Sequence, residues 1–132
     1  MSLDLNDRNA IVGYRVEKAD IALEDAAFLA QAGKYNLAAN RLYYALYYAC
    51  TALLISEGIP TKRHSGMITQ MNYHYVKTGI LSVEDGKLLK IMFDLRHEGD
   101  YEDFIEVEKE DIEEFSPLVC ALIEKIKKLI EL

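Results

Sequence analysis

The sequence predicts an all-α protein: an antiparallel up-down bundle of four to five helices, one domain over residues 1–132. Three observations predict it. Apolar residues recur at helical spacing along most of the chain, and no stretch alternates cleanly enough for a strand. Gly33, Gly58, Gly79 and Gly99 punctuate these periodic segments, leaving short connections that favour antiparallel neighbours. The third observation is the run from Leu42 to Ile55, which is apolar almost all round. A helix of that kind is a buried central helix or a membrane span. This one is roughly 14 residues, short of the ~20 that cross a bilayer, and it holds Tyr43, Tyr44, Tyr47 and Tyr48. It reads as the central helix of a soluble bundle.

Taken in order, the first helix is capped by Asp4, Asn6 or Asp7 and runs to about Gln31. Ile11, Tyr14, Ala22 and Leu29, with Val12, Val16, Ile21 and Phe28, give it a broad apolar face, expected to meet the core. Glu17, Lys18, Asp20, Glu24 and Asp25 fall on its solvated side. Gly33 suits the left-handed residue that ends a helix, and the central helix starts near Tyr35. Pro60, between Gly58 and Gly66, makes 58–66 a loop. Ser65 is the expected cap of a third helix, from about Gly66 to Lys77, whose apolar face is Met67, Ile68, Met71 and Tyr75. Ser82-Val-Glu-Asp85 has the form of a capping box. The fourth helix follows to about Glu98 on a stripe of Leu88, Leu89, Met92 and Leu95. The last runs from about Lys109 to Glu131. Pro117 inside it removes one hydrogen bond and crowds the carbonyl of Glu113, so a kink is expected near 113–117.

A chain of 132 residues buries enough surface to fold without a disulfide or a metal. Its net charge of −7 argues against broad, non-specific nucleic-acid binding, which needs a basic field. A small local basic pocket remains compatible with it. Cys50 and Cys120 sit in apolar helical contexts without metal-like spacing and read as reduced core residues. The first eight residues do not have the pattern of a signal peptide, and the expected location is cytoplasmic. With no glycine-rich phosphate loop, nucleophile elbow or metal-ligand cluster, no cofactor is expected.

Three places can carry chemistry. Arg41 lies on the apolar body of the central helix, with Tyr44 and Tyr48 on its face at i+3 and i+7. A guanidinium there needs a partner, and the plain expectation is a carboxylate from a neighbouring helix. The second place is the basic loop Lys62-Arg63-His64-Ser65. The third is the helix end Arg96-His97-Glu98-Gly99-Asp100-Tyr101, where Arg and His also complement the helix dipole.

Asn40-Arg41-x-Tyr43-Tyr44-Ala45, then His64-Ser65-Gly66, then Val76 to Gly79, then Leu95-Arg96-x-x-x-Asp100-Tyr101 occur in this order across the chain. Together they resemble the HEPN family, the higher eukaryote and prokaryote nucleotide-binding domain, in its small stand-alone prokaryotic branch, over about residues 7–131. The resemblance implies an antiparallel helical bundle that forms homodimers. It also implies a partner, a minimal nucleotidyltransferase, often within a toxin–antitoxin module. Active members of the family are metal-independent ribonucleases with a motif of Arg, a polar residue and a later His. Carried onto this chain, Arg96 takes the Arg position, His97 the polar position and Tyr101 a place where the His belongs, with Glu102 and Asp103 following. A phenol of pKa ~10 is a poor general base at neutral pH. Three readings follow. The chain is an interaction module paired with the nucleotidyltransferase, its ribonuclease motif degenerate. Or it is a ribonuclease toxin using Arg96 with His97 or His64. Or it binds a nucleotide or RNA in a local basic pocket drawn from Arg41, Tyr44, Tyr48, Lys62, Arg63, His64, Ser65, Arg96 and Asp100, with rings stacking on a base and guanidinia holding phosphate.

Overall fold

The computed structural model of the chain describes residues 4–96 and 106–131. Among them are five α-helices and no strand: α1 (Leu5–Gln31), α2 (Tyr35–Ser56), α3 (His64–Met71), α4 (Val83–Leu95) and α5 (Lys109–Glu131). A π-helical turn, Asn72–Val76, extends α3. The bundle expected from the sequence is the one found.

α2 is the centre. It packs against α1, α3, α4 and α5, and Leu42, Tyr43, Leu46, Leu53 and Leu54 are fully buried along it. Its closest companion is α1, which buries chiefly small residues, Ala19, Ala22 and Ala26, beside Val12. Alanines at a helix–helix seam allow the axes to approach at the short end of the usual range. The hairpin between them closes as the glycine predicts. Gly33 has φ +77°, its N–H donates to Ala30, and the N–H of Lys34 reaches the Leu29 carbonyl at 2.9 Å.

The starts of α1 and α4 carry side-chain caps. The Asp4 carboxylate accepts from the Asp7 N–H at 2.8 Å. At α4 the capping box is complete: Ser82 Oγ accepts from the Asp85 N–H, and Asp85 returns the bond to the Ser82 N–H, both at 3.0 Å. Asp85 also pairs with Lys125 at 2.8 Å, tying α4 to α5, while Lys127 pairs with Asp20 at 2.6 Å, tying α5 to α1. Burial alone would raise the Asp85 carboxyl, but the Lys125 ammonium and the Ser82 hydrogen bonds outweigh it and hold the group below the usual carboxylate range.

Four details depart from the sequence expectations. First, α3 begins at His64, with Arg63 in the cap position and no side-chain cap. Ser65 is inside the helix, where its carbonyl accepts from the Thr69 hydroxyl. The His64 ring packs against tyrosines of α2, and that contact draws the chain into the helix two residues early. Second, α3 gives way to the wider turn at Asn72, where Lys77 donates back to Asn72 at 2.8 Å. Gly86 of α4 closes on this turn: a Cβ there would meet Asn72 Oδ1 at 2.8 Å. Third, Cys120 is exposed, and only Cys50 of the two cysteines is a core residue. Fourth, the broad apolar face of α1 is only partly used. Tyr14, Ile21 and Phe28 point outward. α5 remains helical through Pro117.

Candidate functional site

The site grows from one face of α2. Asn36, Asn40, Tyr43 and Tyr47 follow one another at spacings of four, three and four, so they share that face. Asn40 makes two different uses of its amide. Its Nδ2 donates to the backbone carbonyl of Arg96 at 2.7 Å, holding the C-terminal end of α4. Its Oδ1 accepts from Arg41 Nε at 3.3 Å and Nη2 at 3.0 Å. Arg41 and Arg96 are therefore joined through one side chain. One turn earlier, Asn36 Oδ1 accepts the N–H of Val107 at 2.8 Å. The two asparagines hold α4 and the approach to α5 against the central helix.

Arg41 is half-buried and lies over the Tyr44 ring, 5.0 Å from its centroid. Among the described residues its hydrogen-bond partner is Asn40, and no carboxylate takes the place expected for one. The guanidinium of Arg96 packs face-on against Phe93 at 3.9 Å, and its Nη1 donates to the Phe93 carbonyl at 2.7 Å.

Tyr43 is the hub. It is fully buried, and its hydroxyl shares a 2.7 Å hydrogen bond with His64 Nδ1. Burial pushes its phenol well above the ordinary range, against an opposing pull from Arg96. A phenol that stays protonated is suited to donate to the unprotonated nitrogen of a neutral imidazole. His64 in turn sits 4.5 Å from the Tyr47 ring and 5.6 Å from Tyr44, and Phe93 meets Tyr43 edge-on at 5.7 Å. Asn40, Arg41, Tyr43, Tyr44, Tyr47, His64, Phe93 and Arg96 thus form one aromatic and cationic cluster where α2, α3 and α4 meet.

The structure places the other predicted residues elsewhere. Tyr48 touches Tyr44 and Tyr47 on one side, but its ring also carries the ammonium of Lys18 at 5.2 Å, toward α1. Lys62 and Arg63 are exposed on the segment before α3, and among the described residues neither makes a hydrogen bond or ring contact with the cluster. Ser65 is exposed as well. His97, Asp100 and Tyr101 lie outside the described residues. Sequence reasoning missed Tyr47 and Phe93 as members of the cluster and saw Tyr43 only as part of a motif. For Tyr43 and Tyr47 the signal was present in their helical register with Asn40. For Phe93 it was not, because only the packing of α4 brings it near.

Among the described residues no group of His, Cys, Asp and Glu is placed to hold a metal ion. None of their helices is long and apolar enough to cross a membrane. A cleft of about 510 Å³ opens between α1 and α5, lined by Val12, Val16, Lys127 and Ile130, apart from the cluster.

Comparison with known proteins agrees with the geometry. The sequence model of the HEPN domain matches residues 12–129. A UPF0332 protein of Thermotoga maritima is 35% identical over 127 residues, 96% of this chain and 96% of its own length. The Methanocaldococcus jannaschii protein named "Putative toxin MJ0142" is 34% identical over 98 residues, 74% of this chain and 67% of its own. A second protein of that organism with a name of the same form is 29% identical over 86 residues, 65% of this chain and 64% of its own.

Proposed function

This chain belongs to the HEPN domain family, and from that membership we propose that it is the homodimeric, helical member of a toxin–antitoxin-like pair whose other member is a minimal nucleotidyltransferase. In this reading it acts by association, with a degenerate ribonuclease motif. Relatives whose names read "Putative toxin" support a toxin–antitoxin-like role.

The observation that carries the reading is the way Arg96 is used. It is the residue a ribonuclease member would turn to the scissile phosphate. Here its guanidinium lies on Phe93 at 3.9 Å and donates to the Phe93 carbonyl, while Asn40 holds its backbone. That is service to the end of α4. The sequence adds Tyr101, Glu102 and Asp103 where the family places a histidine. Asp100 and Glu102 would repel an RNA phosphate.

The test is co-expression of the tagged chain with a minimal nucleotidyltransferase from the same genome. We expect the two to co-purify in near-equal amounts and to stay together at micromolar concentration. Separation of two well-folded proteins under those conditions contradicts the pairing.

A second reading is favoured by one specific contact. Tyr43 holds His64 by a 2.7 Å hydrogen bond and also feels the charge of Arg96, so a histidine and an arginine flank one ring. Metal-independent RNA cleavage in the presence of EDTA, lost in Arg96→Ala, would replace the association reading with a ribonuclease that uses His64 in place of the usual histidine.

A further inference from the structure

We infer that Tyr43 is a positioning residue whose hydroxyl fixes His64 as a hydrogen-bond donor through Nε2–H. In the ribonuclease reading, on which this role rests, His64 then holds a phosphoryl oxygen and does not abstract the proton of the 2′-hydroxyl. The protons at the Tyr43–His64 pair decide it. Tyr43 is fully buried, and among the described residues the hydrogen-bond partner of its hydroxyl is His64 Nδ1, at 2.7 Å. The phenol has one proton to place. A hydrogen on Nδ1 would point at the phenol oxygen and leave the phenol's own proton in the core without an acceptor, a state buried polar groups avoid. Both groups are satisfied only when O–H donates and Nδ1 accepts. The same count excludes the imidazolium, which carries a hydrogen on each nitrogen. His64 is therefore neutral in this pair, with its hydrogen on Nε2.

The ring is also held in place. Its centroid lies 4.5 Å from that of Tyr47, 5.6 Å from Tyr44 and 6.4 Å from Phe93. The two nitrogens of an imidazole point in divergent directions. With Nδ1 turned to the buried hydroxyl, Nε2 turns away from it, on a side chain that is half-buried. Such a ring cannot act as a base. Nε2 has no lone pair to offer, and the lone pair of Nδ1 is taken by Tyr43. Giving up the Nε2 proton would require Tyr43 to refill Nδ1 and would leave a buried phenolate, and burial already holds the Tyr43 phenol well above its ordinary range. What remains is donation to an anionic oxygen without transfer of the proton, the work of an oxyanion-hole donor. Cleavage then forms the bond from the 2′-oxygen to phosphorus and breaks the bond from phosphorus to the 5′-oxygen. The 2′ proton leaves to water, water returns one to the 5′-oxygen, and His64 keeps its own.

Nitrogen NMR of the full chain, labelled at histidine, tests the inference, with His64 assigned by its absence in His64→Gln. In the parent at neutral pH, Nε2 is expected to carry the hydrogen and Nδ1 to resonate as an unprotonated, hydrogen-bonded nitrogen. Tyr43→Phe keeps the ring, removes the hydroxyl and should let the hydrogen distribute over both nitrogens. The parent spectrum keeps the test sharp if that variant fails to fold. In RNA cleavage with EDTA present, Tyr43→Phe should lower kcat about 10-fold and leave KM within about twofold. His64→Gln, whose amide donates but takes up no proton, should keep kcat within about 10-fold of the parent, whereas His64→Ala should lose about 100-fold. A hydrogen on Nδ1 of the parent, in either the neutral ring or the imidazolium, overturns the assignment of Tyr43. An Nε2–H ring with His64→Gln as inactive as His64→Ala overturns the donor role and leaves the assignment standing. A parent that cleaves no RNA overturns the ribonuclease reading and the role within it, whatever the spectrum shows of the tautomer.

Discussion

α1 and α2 lie side by side, are similarly long and are both rich in apolar residues, yet they do opposite work. Beyond its first turn α2 buries its leucines and alanines and is enclosed by four other helices. α1 turns its alanines inward and leaves Tyr14, Ile21 and Phe28 in solvent. The difference teaches that total hydropathy does not decide burial. α2 has partners all round from Ala38 to Leu54, so nearly all its apolar side chains there find a place, and Leu37 in its first turn does not. α1 has one main partner, and an alanine seam is enough to bury it. Its larger residues Tyr14, Ile21 and Phe28 are surplus to that seam.

The comparison breaks most visibly under truncation. Leu46→Ala in α2 removes a fully buried side chain, and we expect a loss of about 2–5 kcal/mol in urea unfolding. Ile21→Asp in α1, measured on the monomer, should change the same quantity by less than about 0.5 kcal/mol. If the two cost alike, α1 is as much a core helix as α2, and the contrast fails.

A smaller effect sharpens the account of the α2 face. Asn40→Ala leaves the Arg96 carbonyl and the Arg41 guanidinium without their shared partner, and should cost about 1–3 kcal/mol. Amide exchange at the C-terminal turn of α4 should rise with it. Unchanged exchange there would mean that Asn40 does not hold α4.

The smallest expected effects lie at the rim, where α4 meets α5. Ser82→Ala removes the capping-box acceptor and should cost about 1 kcal/mol. The pH dependence follows from Asp85, whose carboxyl is held below its ordinary value in the folded chain. A depressed carboxyl stabilises the fold above the unfolded-state pKa, about 3.9, and this contribution is lost as pH falls through the folded-state value. Lys125→Met should therefore flatten the acid limb of the stability curve below about pH 4. An acid limb identical to the parent's would show that the ion pair carries none of it.

How legible all this was in the sequence depends on what kind of fact each is. The enclosure of α2 was readable, because residues apolar on all sides of a 3.6-residue period admit few alternatives. So was the box at Ser82 and Asp85, where the signal is local and chemical. The outward face of α1 was not, because Tyr14, Ile21 and Phe28 have the hydropathy of core residues, and only the placement of neighbouring helices shows that none of the described helices covers them. The start of α3 was misplaced for a related reason: the pull of Tyr43 and Tyr47 on His64 is tertiary, and Ser65 is a better local cap than Arg63. The candidate site was half legible. Asn40, Arg41, Tyr43 and Tyr44 announce themselves by spacing, whereas Phe93 and the joining of Arg41 to Arg96 require α4 to be laid against α2. Cys120 shows the same limit, since Val119 and Leu122 beside it belong to the buried stripe of α5 and it does not.

The most direct measurement is the molar mass of the wild-type chain in solution across concentration. A chain of 15.1 kDa that forms the proposed homodimer should sediment at about 30 kDa in the tens of micromolar range. A wild-type mass that stays near 15 kDa at every concentration would contradict the proposed homodimer.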